Sequence, residues 1–69
     1  MTECAVCFYD HKNNGENQVQ IVFQELVPVS GDIIIHEGLE YTVLSRRFII
    51  YEDKVLKTTS MVYKITATR

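Results

Sequence analysis

Apolar and polar side chains alternate along most of the chain. In QVQIVFQ, Val19, Ile21 and Phe23 point one way while Gln18, Gln20 and Gln24 point the other, which predicts a strand with one buried and one wet face. Near the end, Met61, Tyr63, Ile65 and Ala67 alternate with Val62, Lys64, Thr66 and Thr68. No segment repeats apolar residues at helical spacing over ten or more positions.

Turn residues divide these runs. Asn14-Gly15, within the polar stretch DHKNNGEN, readily takes the positive φ angles of a hairpin turn. Pro28 lacks a ladder donor and Gly31 tolerates unusual backbone angles, so the chain is expected to bend through VPVSGD before IIIH. A second short turn is expected at His36-Glu37-Gly38. Farther on the phase slips: Leu39, Tyr41 and Val43 share one parity, Phe48 and Ile50 the other. A one-residue slip turns an apolar set outward, so a β-bulge or sharp bend is expected between Ser45 and Arg47. The stretch VLKTTS extends the last strand or forms a loop. The whole predicts one all-β domain over residues 1–69. We read it as a small antiparallel meander of five to six strands, curled into an SH3-like or half-open barrel.

Length sharpens this picture. A chain of 69 residues removes only about 60% of its unfolded surface from water on folding, so its stability is expected to be marginal and a homodimer is a natural supplement. The strand CAVCFY is apolar on both faces, and Cys4, Val6 and Phe8 are the expected self-association strand. The first residues carry no basic, apolar leader, and no run approaches the length of a membrane span. The expectation is a cytoplasmic protein with free thiols.

The net charge of −2 hides an asymmetry. Residues 1–40 hold Lys12 against seven carboxylates, a sum of −6, whereas residues 41–69 hold six cations against Glu52 and Asp53, a sum of +4. Arg46, Arg47, Tyr51 and Lys57 are the expected basic and aromatic contact region for a protein partner. With Lys64, the cations Arg46, Arg47 and Lys57 also suit a nucleic-acid-binding small barrel, in which cations meet phosphate and rings stack on bases. Against that reading, Tyr41, Phe48 and Tyr63 hold expected core positions, and the acidic total opposes phosphate binding.

Cys4, Cys7, His11 and His36 are the only cysteines and histidines, and a C-x2-C pair with two histidines is a zinc-ligand set. A zinc-stabilised module is therefore a third reading. Strand geometry argues against it, because residues three apart on a strand face opposite sides. The cysteines are better explained as small apolar side chains, and the histidines as solvated turn residues; no metal or cofactor is expected. Nor is an enzyme. Ser30, Ser45 and Ser60 lack a nucleophile context, and there is no Gly-rich phosphate loop.

From Pro28 onward, PVSGDIIIHEGLEYTV followed by a last strand VYKITAT resembles small bacteriophage and prophage β-proteins with a P-x-x-G-D-x-I…Y-x-V pattern. The matching residues are Pro28, Gly31, Asp32, Ile34, Tyr41 and Val43. The resemblance implies an accessory protein that acts by binding, such as an inhibitor of a host or defence protein. It implies no catalytic residue.

Overall fold

The computed structural model describes residues Met1–Arg69. Five strands, β1 (Thr2–Asp10), β2 (Gly15–Phe23), β3 (Ile33–His36), β4 (Leu39–Asp53) and β5 (Thr58–Thr68), form one sheet in the order β2-β1-β5-β4-β3. There is no helix, and so none long and apolar enough to cross a membrane. The sheet curls into a half-barrel, as the alternation predicts. One pairing departs from a pure antiparallel meander. β1 and β5 run parallel, with Cys4 beside Tyr63 and Tyr9 beside Thr68, so the last strand inserts between two hairpins.

The turns follow the local chemistry. Between β1 and β2 the left-handed position is Asn14 (φ 53°); Gly15 already begins β2. Asp10 closes this loop by accepting hydrogen bonds from the backbone N–H of Lys12 and the side-chain amide of Asn13, at 3.0 and 2.9 Å. Glu37 (φ 51°) and Gly38 (φ 78°) make the two-residue turn from β3 to β4, two successive positive φ angles that glycine accepts most readily.

The motif carried by Pro28 to Asp32 is a structural clamp. The Asp32 carboxylate accepts the Val29 N–H at 2.9 Å, while Gly31 N–H and Asp32 C=O bond to the backbone of Val43. Gly31 sits at φ 95°. Ile34, Tyr41 and Val43 pack in or against the core. All the residues that carry the resemblance to phage proteins, Pro28 apart, thus have a packing or turn role.

The core lies in the hollow of the curl. Cys4, Val6, Phe8, Tyr41, Val43, Ile65 and Ala67 are buried there, flanked by Val19, Ile21, Phe23, Val27, Ile34 and Tyr63. Phe8 meets Tyr41 at 4.7 Å and His36 at 4.5 Å between ring centroids. His36 is therefore a packing residue, a correction to its expected place among solvated turn residues. The bulge falls at Leu44, between Val43 and Ser45, one residue before the expected window. It brings Phe48 and Ile50 onto the concave face shared by Tyr41 and Val43.

Candidate functional site

The register of the long strands creates a projecting arm. β3 pairs with β4 only through Thr42, and β1 reaches β5 only from Tyr63 onward. Between those limits β4 and β5 continue as a two-stranded ribbon whose outer edges have no strand neighbour. The molecule is accordingly elongated, 44 × 27 × 18 Å.

Pairing defines two faces on this arm and on its base, where β1 still flanks β5. On the concave side, Arg46 lies opposite Ile65, Phe48 opposite Tyr63 and Ile50 opposite Met61. The apolar surface runs out from the core and ends in the open, with Phe48 51%, Ile50 61% and Met61 59% exposed. Phe48, an expected core residue, packs on Tyr63 at 4.3 Å but keeps its outer side in water. The Arg46 guanidinium lies 5.9 Å from the Tyr63 ring centre, a cation–π contact.

The opposite face is basic. Arg47 and Lys64 are direct cross-strand partners, an arrangement that places like charges side by side and destabilises an isolated sheet. The only ion pair is Arg69 with Asp10, and His36 Nε2 lies 4.0 Å from Glu37 Oε1. All five cations from Arg46 to Lys64 are thus uncompensated by contact. In the two-stranded part Lys54 and Lys57 offset Glu52 and Asp53, while Arg46, Arg47 and Lys64 give its base, where β1 still flanks β5, a charge of +3, leaving −5 for the rest of the chain. The charge asymmetry of the sequence becomes a spatial one. At the tip, Val55 and Leu56 are 90% and 70% exposed.

The four residues expected to form one contact region share neither one face nor one part of the hairpin, since Arg46 and Arg47 sit at the base of the arm, where β1 still flanks β5. Arg46 is concave, Arg47 and Tyr51 are on the opposite side, and Lys57 is in the tip turn. The self-association strand requires a larger correction. Cys4 and Val6 are fully buried and Phe8 nearly so, and β1 has β2 on one edge and β5 on the other. Neither its side chains nor its backbone can meet a second chain. The apolar pattern on both faces reflects its place inside the sheet, between β2 and β5, where on the outer side Cys7 is buried and Ala5 half-buried.

The zinc set is also not assembled. Cys4 points into the core and Cys7 to the other face, His11 is in the first loop, and His36 is stacked on Phe8. Cys7 instead donates from Sγ to Glu16 Oε1 at 3.1 Å. Burial, reinforced by the hydrogen bond and the negative charge of Glu16, pushes the Cys7 thiol up to about 11. Burial also raises Cys4, with Arg46 opposing. Neither thiol has the lowered pKa of a nucleophile or a metal ligand.

No protein-family model, curated protein or solved structure matches the chain. The two surface depressions are open ones, one among the charged side chains at the arm's tip, the other beside Met1, Glu3 and Met61. What the arrangement offers is contact area: an apolar row continuous with the core, backed by unpaired cations. Sequence reasoning found the cations but missed the row, because Phe48, Ile50 and Met61 follow the core's alternation. Only the lengths of β4 and β5 relative to β1 and β3 reveal that nothing covers them.

Proposed function

We propose that the protein is a non-enzymatic, cytoplasmic protein-binding module whose contact surface is the β4–β5 arm. The observation that carries this reading is the row Phe48, Ile50 and Met61, each more than half exposed although it continues the core face. Burying such aliphatic and aromatic side chains contributes about 1.5–3 kcal/mol apiece. The Arg46 guanidinium, on the same face as the row, favours a partner with a carboxylate beside its apolar centre.

The arm suits protein better than nucleic acid. Ile50 and Met61 present no ring to a base, Tyr63 is already covered by Phe48 and Arg46, and Tyr51 lies on the opposite face from Phe48. The resemblance to small phage and prophage proteins agrees with a binding role of the accessory or inhibitor type.

The test uses tagged protein, immobilised and exposed to bacterial lysate with and without nuclease, beside an Ile50→Glu/Met61→Glu variant. Both positions are exposed, so the variant is expected to keep the fold. One protein retained regardless of nuclease and lost from the variant supports the reading. Nuclease-sensitive retention that survives Ile50→Glu/Met61→Glu but disappears in Arg47→Ala/Lys64→Ala overturns it in favour of nucleic acid.

A further inference from the structure

The outer edge of β2 is a regular free edge nine residues long. β1 and β2 pair without interruption from Thr2 opposite Phe23 to Asp10 opposite Gly15. The Arg69 N–H donates to Tyr9 C=O, which fixes the direction of the backbone groups of β1: odd residues face β5, even residues face β2. Since Phe8, Val6 and Cys4 lie opposite Asn17, Val19 and Ile21, the odd residues of β2 are satisfied by β1. Glu16, Gln18, Gln20 and Val22 therefore direct N–H and C=O outward. No backbone hydrogen bond outside the ladders involves any of them.

Free edges in stable monomers are usually guarded by lysine, proline, a bulge or shortness. β3 is four residues long, and β4 has the Leu44 bulge and then Arg46 and Arg47 along its free edge. β2 has none of these guards over nine residues: no lysine, no arginine, no proline and no bulge. Its side chains at Gln18, Gln20 and Val22 are exposed.

We infer that β2 pairs antiparallel with β2 of a second copy of this chain, about a two-fold axis at Val19. Val19 is the middle residue of Gly15–Phe23, so this register uses the whole strand. The sequence is self-complementary about it. Gln18 falls opposite Gln20 of the second copy, two amides that can bond across the junction, and Val19 meets its own symmetry mate on the concave face. Glu16, the one charged residue of β2, falls opposite Val22 and far from its own mate, so no like charges meet. The four outward residues of each strand supply about eight inter-chain backbone hydrogen bonds. A foreign strand could use the same backbone groups, but the side-chain pattern matches this chain's own. Only 8 of 69 residues are buried in the single chain, which is the shortage that continuation into a ten-stranded sheet relieves.

This inference is independent of the arm, and its test changes only exposed residues of β2. Equilibrium sedimentation of the wild type is expected to give twice the chain mass of 8.0 kDa. Gln18→Lys/Gln20→Lys places lysine opposite lysine across the axis and is expected to sediment at the single-chain mass with an unchanged strand signal in circular dichroism. Gln18→Lys/Gln20→Glu places lysine opposite glutamate and restores the doubled mass. A wild type at single-chain mass overturns the inference. So does a doubled mass that persists in the lysine pair, which moves the contact away from β2.

Discussion

His36 lies flat on Phe8, ring centroids 4.5 Å apart and planes within 4°. The two residues belong to β3 and β1, which are separated in the sheet by β4 and β5, so this stack measures the curl directly. Phe8 is 2% exposed and also touches Tyr41. Replacing Phe8 with Ala is expected to cost about 3–5 kcal/mol, enough to unfold most of a domain this small. His36→Ala forfeits the stack alone, about 0.5–1.5 kcal/mol. Urea unfolding checks both, and a His36→Ala midpoint equal to the wild type would show that the curl holds without it.

The Cys7 thiol, lifted to about 11 from an ordinary 9.0 by burial and by Glu16, has two consequences. Native Cys7 is expected to react with iodoacetamide at pH 8 at about one hundredth of the rate in the urea-unfolded chain, in proportion to its thiolate fraction. Glu16→Gln removes the carboxylate and raises that rate. The folded state also holds this proton more tightly than the unfolded one, so the stabilisation is complete below about pH 9 and is lost as pH rises through about 11. Urea midpoints that stay level across this window, once compared with Cys7→Ala, would contradict the assignment.

Because the arm is a two-stranded ribbon beyond the rest of the sheet, its amides are expected to exchange with solvent far faster than those of the central strands. Hydrogen exchange followed by NMR should place Ile49 and Val62, a hydrogen-bonded pair of the ribbon, at least about tenfold above Val6 and Ile65 in rate. Replacing Glu52 to Thr59 by Asn-Gly shortens the ribbon without touching a buried residue, and is expected to shift stability by no more than about 1 kcal/mol. Equal protection of arm and core would mean that the ribbon is packed against something in solution.

Much of this fold is legible in the sequence, for reasons that differ by element. Alternation in QVQIVF and MVYKITA reads the strands, because side chains on a half-buried sheet must separate by parity. Asn14, Glu37-Gly38 and Gly31 mark the turns, since each takes a positive φ there. The parity slip between Val43 and Phe48 locates the bulge at Leu44 to within a residue. The position of β1 was not legible, because a strand apolar on both faces looks the same in the middle of a sheet as at a subunit contact. Deciding between them requires the parallel pairing with β5, which is long-range and leaves no local mark. The basic residues of the site were readable as composition, but their distribution over two faces depends on the bulge.

The placement of β5 also sets the order in which the molecule can assemble. The hairpin β1–β2 and the hairpin β3–β4 have no ladder in common, and β5 is the only strand hydrogen-bonded to both. During synthesis the two hairpins therefore emerge as separate ribbons, each with an uncovered apolar face. The hollow cannot fill until Ile65 and Ala67, both fully buried, have left the ribosome. The docking of β5 is thus the decisive step of folding, and until it occurs the waiting hairpins depend on speed, or on a chaperone, to avoid pairing elsewhere.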